Sequence, residues 1–292
     1  MNHSHAPLAL DVPAAVHRQQ PRRHHPDVFV RPVRASNLAA ELSAISSLLP
    51  RYPYVTVHAE YPAGCGDDDA PRHEHRLLVA PGGVLRDGDL SPEAPYRLAK
   101  IDIDTHPVLH LGITLCDDGG ALPVLPCGPR GPAAAVWQVA FRGADARHGV
   151  ALGAFSAALL ASGVVSGETR RHVKWVAFGG LRHFGFLLKA LTGGEPLPRT
   201  GAAFAAALEA FLGPRVFDAR YVAARLPLGV RLEGDLAHVA RLLDAPAAAA
   251  REPRQAGEKS LAACQVFMRT AGLFFAWGGI GMHAGRIHGL HS

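Results

Sequence analysis

His58 and Glu60 are the residues whose types and spacing in this chain invite chemistry. They close the run Tyr52-Pro53-Tyr54-Val55-Thr56-Val57-His58-Ala59-Glu60-Tyr61-Pro62, where an apolar, β-branched stretch ends in an imidazole and a carboxylate two residues apart. β-Branched side chains favour extended backbone, and successive side chains of a strand point to opposite sides. The run therefore predicts a buried strand that presents both groups on one face at its C-terminal end. The carboxyl ends of sheet strands are where α/β enzymes hold their reacting groups.

A buried strand needs neighbours, and the sequence supplies candidates. Val108 to Leu115 has the β-branched content of a second buried strand, and Asp117-Asp118-Gly119-Gly120 supplies the turn after it. Val136-Trp137-Gln138-Val139-Ala140-Phe141 reads as a further strand, Val173 to Phe178 as a central strand, and Val216-Phe217-Asp218-Ala219-Arg220-Tyr221 as a strand-to-helix junction. Leu38, Leu42, Ile45 and Leu49, following Ser36-Asn37, predict an N-capped amphipathic helix packed on the sheet. Further helices are expected from Phe184, over Asp235 to Leu243 and over Ser260 to Phe274. Val150 to Val165 is too short to span a membrane and contains Ser156 and Ser162, so it is read as a core helix. The expected fold class is α/β.

With 292 residues and 48% hydrophobic content the chain can bury a full core. Residues 1–26, rich in proline, histidine and arginine, are read as a disordered basic leader, with an organellar transit peptide as the competing reading, and residues 27–292 as one domain. The net charge of +5 is concentrated at the start: five arginines against two aspartates place +3 within the first 36 residues. The domain is thus close to balanced, and its charge gives little support to nucleic-acid binding. Cys65, Cys116, Cys127 and Cys264 lack zinc-site spacing and are expected to be reduced thiols of a soluble intracellular protein. Asp67-Asp68-Asp69 lies in a glycine- and proline-rich loop and is read as solvated; Trp137 and Trp175 are read as core aromatics. His110, His238 and His288 have no partner visible in the sequence, and the stretch from Met282 to Ser292 reads as a frayed tail.

From Val28 onward the ordered motifs resemble the carbon-catabolite-repressor-associated factor (Caf/Pop) family of poly(A) deadenylases, which has the ribonuclease-H-like DEDD exonuclease fold; the resemblance implies a mixed sheet flanked by helices. The motifs that carry the resemblance are the Ser36-Asn37-Leu38 helix start, the strand ending in Glu60-Tyr61-Pro62, and Leu111-Gly112-Ile113-Thr114. Trp137-Gln138, Phe155 to Val165 with Ser162-Gly163-Val164-Val165, and Phe178 to Gly185 extend it, and the resemblance makes Val136 to Phe141 the antiparallel partner of the Val108 to Leu115 strand. Between Phe141 and Phe155 the chain is much shorter than the family, which places another helix there. The resemblance implies a site in which four acidic side chains hold two divalent cations, magnesium or manganese, with a histidine assisting the attacking water. On the matching positions Glu60 keeps one acid. His58 and His183 stand where two aspartates would be, Lys259 replaces the last metal-binding aspartate, and Arg254 replaces the histidine.

With neutral histidines, Glu60 and Lys259 sum to zero charge where the family places four carboxylates, and Arg254 adds another positive group. An ammonium a few ångströms from a divalent ion is repelled by several kcal/mol even at an effective dielectric near 20 (an order-of-magnitude figure). The ordinary two-magnesium site is therefore not expected, and no cofactor is. Glu258 reaches the position only if the helix register shifts, because adjacent helical residues point about 100° apart. His58, Glu60 and His183 together form a His-His-carboxylate set, the ligand chemistry of catalytic zinc, which is the alternative. The plainer reading is two polar residues left in a former acidic pocket.

The expected function is a deadenylase-like subunit of the Ccr-Not mRNA-turnover complex, catalytically impaired and acting by binding. An active poly(A)-specific 3′-exoribonuclease and a folded remnant without a role are the alternatives. The resemblance implies a Not-type scaffold and a Ccr-type nuclease as partners, poly(A) RNA bound weakly or not at all, no membrane, and a place in cytoplasm and nucleus.

Overall fold

The run that ends in His58 and Glu60 forms β2 (Tyr54–Glu60), a strand buried on both faces until its last residue. Its odd-numbered side chains Val55, Val57 and Ala59 belong to one hydrophobic cluster and Tyr54 to another, so the period-2 alternation divides the strand between two helical layers. The computed structural model describes residues 28–62, 78–80, 83–85, 93–127, 131–229, 231–246, 254–275 and 279–291. The leader, Cys65 and Asp67 to Asp69 lie outside them.

Before β2 come β1 (Val28–Val33) and α1 (Leu38–Leu48); a short hairpin of β3 (Leu78–Ala80) and β4 (Gly83–Leu85) precedes α2 (Ala94–Thr105). Then follow β5 (His110–Cys116), β6 (Val124–Pro126), β7 (Pro132–Ala140), α3 (Leu152–Ala161), α4 (Gly167–His172), β8 (Lys174–Ala177) and α5 (Gly180–Leu191). The chain closes with α6 (Gly201–Leu212), β9 (Val216–Asp218), α7 (Ala219–Ala223), α8 (Leu236–Leu242) and α9 (Ala256–Phe274). The main sheet runs β1-β7-β5-β2-β8-β9, with β6 also on β7. β2 pairs antiparallel with β5 and parallel with β8, so the sheet is mixed, as the sequence predicted.

One face carries α1, α2, α3, α5 and α6, with Trp137, Phe155, Phe184 and Phe204 fully buried in its cluster. The other carries α7, α8 and α9 around Phe217, Val239 and Phe267. Trp175 is buried as well, which confirms both tryptophans as core. Among the described residues no helix is long and apolar enough to cross a membrane.

Three local expectations are corrected. Asn37 does not cap α1: its Oδ1 accepts from the Arg34 amide and its Nδ2 donates to the Pro32 carbonyl, so it folds the preceding turn instead. α3 is a surface helix rather than a core helix, burying only Phe155 and Leu159 while Leu160 faces outward. The C-terminal stretch is not frayed. Gly285 donates to the Val216 carbonyl, the His288 amide donates to Asp218 Oδ2 at 2.9 Å, and Ile287 is buried.

Candidate functional site

The site forms where the C-terminal end of β2 meets the first turns of α5 and α9. Three local devices place its side chains.

Asp218 fixes the start of α5. β9 pairs with β8 so that Asp218 lies opposite Ala177, one strand over from the β8–α5 turn. Its carboxylate accepts from the amides of Gly179 (3.0 Å), Gly180 (2.9 Å), Arg220 (2.9 Å) and His288, and more distantly from Tyr221. Gly179, in the left-handed region at φ 75°, lets the chain turn sharply from β8 into the helix. Burial pushes the Asp218 carboxyl up against the pull of those amides. The turn delivers His183 to the end of β2, where its Nδ1 accepts from the Ala59 amide at 3.1 Å. That bond leaves the proton of the neutral ring on Nε2.

Gly112 seats α9. A side chain there would bring its first carbon 1.9 Å from the Ala256 carbonyl oxygen, so the start of α9 lies directly on the β5 backbone. A capping box opens the helix: Glu258 Oε2 accepts from the Arg254 amide at 2.8 Å and from the Gln255 amide. Glu258 is thereby spent on the helix start, in agreement with the register argument. The next residue, Lys259, reaches inward, and its Nζ lies 3.4 Å from Glu60 Oε1.

The antiparallel register of β2 on β5 sets His110 opposite Glu60, and His110 Nδ1 lies 3.2 Å from Glu60 Oε2. Both carboxylate oxygens are thus engaged. Burial pushes the Glu60 carboxyl up, but His110 and Lys259 outweigh it and hold the group below the usual range, so Glu60 is charged.

His58, on the same face of β2, is buried and meets His183 ring to ring, with centroids 4.1 Å apart and planes at 40°. Burial holds both rings neutral. It drives His58 well below the ordinary histidine range, with His183 and Lys259 adding to the effect, and brings His183 down to about 3, with Lys259 adding there too. Arg182, beside His183, turns to Asp102 of α2 at 2.9 Å, and Lys189 donates to the carbonyls of Ile103, Asp104 and His106. These bonds clamp α5 to α2.

Four of the five residues singled out in the sequence, His58, Glu60, His183 and Lys259, are therefore brought together. Arg254 stays exposed at the lead-in to α9. His110 and Asp218 were missed. An aspartate at a strand-to-helix junction is a helix-cap signal that the sequence did carry. For His110 the only clue was its parity along β5, and that needs the register.

The residues present do not fit two divalent cations. One carboxylate is neutralised by an ammonium 3.4 Å away, and the two imidazoles face each other in a buried contact. The zinc alternative is corrected by the same geometry. Glu60 turns to His110 and Lys259, His183 Nδ1 is occupied by a backbone amide, and among the described residues no three His, Cys, Asp or Glu side chains converge to hold an ion.

No protein-family profile matches the sequence. The chain is 26% identical over 287 residues to the probable CCR4-associated factor 1 homolog 7 of Arabidopsis thaliana, spanning 90% of this chain and 94% of that protein. It is 25% identical over 295 residues to the CCR4-NOT transcription complex subunit 7 of Caenorhabditis elegans, spanning 91% and 85%. Its fold is that of the Mg2+- and Mn2+-bound S. pombe Pop2p, with TM-score 0.68 at 23% identity over 89% of this chain and 99% of that one. The yeast CAF1 co-crystallized with the NOT1 MIF4G domain also shares it, with TM-score 0.62 at 19% identity over 89% and 96%. Near-complete coverage in both directions, by sequence and by fold, makes this chain similar over its length to CCR4-associated factor 1/Pop2 proteins.

Proposed function

We propose that this protein is a deadenylase-family subunit of a Ccr-Not complex that contributes to mRNA turnover by binding rather than by cleaving RNA. The observation that carries the second half is the Lys259–Glu60 ion pair. Phosphodiester cleavage by two cations requires clustered carboxylates to offset four positive charges. Here the pocket is electrically neutral, and its two imidazoles are buried and uncharged. An incoming cation would have to displace Lys259 and would find nitrogen donors where magnesium prefers oxygen.

The first half is supported by the similarity, at 25% identity over 85% of its length, to a CCR4-NOT subunit. A CAF1 of the same fold has been co-crystallized with a NOT1 MIF4G domain, which makes a Not-type scaffold the primary partner to test, with a Ccr-type nuclease next. Residence in both cytoplasm and nucleus belongs to the same reading.

A time course on labelled poly(A) oligonucleotide with magnesium, manganese or zinc tests it, alongside the triple variant His58→Asp, His183→Asp, Lys259→Asp. The expected result is an inert native protein that is retained on an immobilised Not-type scaffold domain. Tail shortening by the triple variant would show that the fold still supports the chemistry. Shortening by the native protein, lost on Glu60→Ala, overturns the binding-only reading. Failure to associate with the scaffold overturns the complex assignment.

A further inference from the structure

α9 and β5 run over one another with matched repeats. Two residues of strand advance about 6.8 Å and four residues of helix about 6 Å, so alternate residues of one element meet every fourth residue of the other. Gly112 lies under Ala256, Thr114 Oγ1 is 2.8 Å from Ser260 Oγ, and Cys116 Sγ is 3.3 Å from Cys264 Sγ. The third rung of this ladder is a pair of buried thiols within the cluster that holds Tyr54 and Phe267. It lies apart from the His58–Lys259 pocket, and the proposed function does not use it.

We infer that Cys116 and Cys264 are an oxidative modification site, closing to an intramolecular disulfide that staples α9 to β5. The two elements are already held at contact by the Gly112–Ala256 and Thr114–Ser260 rungs, so the bond needs only a side-chain shift, to a sulfur–sulfur distance of about 2.05 Å. The Cys264 contact, then burial, keeps the Cys116 thiol protonated in the closed fold, well above its ordinary range. Neither thiol is exposed, so exchange with a small disulfide such as oxidised glutathione takes place before α9 docks or while it is lifted from the sheet. One cysteine thiolate attacks glutathione disulfide and releases a glutathione. The second attacks the resulting mixed disulfide at the protein sulfur and releases the other. Two protein thiols lose two electrons, and their two protons leave on two reduced glutathiones.

The test is to refold the full chain from denaturant in glutathione buffers of graded redox ratio, quench in acid, alkylate, and measure intact mass and peptide map. The expected product is two hydrogens lighter, links the peptide of Cys116 to that of Cys264, and melts at a higher temperature than the reduced protein. The effective concentration of the pair should exceed that of the same chain kept in denaturant by on the order of 100-fold. Cys264→Ser should abolish the mass change. Equal alkylation of folded and denatured chains at every redox ratio, or a linked pair that uses Cys65 or Cys127, overturns the inference.

Discussion

Lys259 Nζ stands 3.4 Å from Glu60 Oε1, while the other oxygen of that carboxylate lies 3.2 Å from His110 Nδ1. A helix, a central strand and its antiparallel neighbour thus converge on one carboxylate, each of whose oxygens meets a nitrogen of another element.

The Glu60 and Lys259 side chains retain 21% and 30% of their exposure, so water screens the pair and its worth to stability is small. Glu60→Gln should lower unfolding free energy by no more than about 1 kcal/mol in urea titrations. A much larger loss would mean that the carboxylate holds the three elements together.

The buried histidine pair makes stability depend on acid. His183 titrates near 3 in the folded chain and near its ordinary value of about 6.5 when unfolded. Between those values the unfolded state binds the extra proton, so stability falls as pH falls through that window. Each histidine contributes a slope of up to about 1.4 kcal/mol per pH unit. Denaturant melts from pH 7.5 downward should show the decline beginning near pH 6.5, and His183→Gln should flatten it. Lys259→Ala removes a repulsion felt by both rings, which raises their folded pKa values, so the decline should still begin near pH 6.5 but end at a higher pH and total less.

Asp218 satisfies amides from the start of α5, the start of α7 and the C-terminal segment at once. Removing a buried acceptor leaves several donors unpaired, at about 1–3 kcal/mol for each group left unsatisfied. Asp218→Ala is expected to cost at least about 3 kcal/mol. It should also free the C-terminal segment, read as faster amide exchange at His288 and accelerated carboxypeptidase trimming. Asp218→Asn, which keeps one acceptor, should fall between the two.

Gly112→Ala should be worse than its single added methyl suggests. The new carbon would sit 1.9 Å from the Ala256 carbonyl oxygen, and backbone on both sides leaves no flexible group to yield. The start of α9 must lift, with a cost of about 3 kcal/mol or more. Loss of the Lys259–Glu60 contact and of the Thr114–Ser260 bond would accompany it, measurable as exchange at the first turn of α9.

The sequence by itself determined the elements and much of the pocket. Period-2 burial placed His58 and Glu60 on one face of β2, β-branched runs marked β5, β7 and β8, and the family resemblance joined His183 and Lys259 to that strand. Such signals are local, or are carried by ordered motifs, so one chain suffices to read them. What depended on register between distant segments was decided only by the tertiary structure. Nothing near His110 says that it faces Glu60, nothing near Cys116 says that it meets Cys264, and the histidine-rich C-terminal stretch looked loose until Asp218 was seen to hold it. Asn37 shows the converse: a residue type suited to capping a helix bound the preceding turn instead, because a side chain takes the partner that the folded backbone offers.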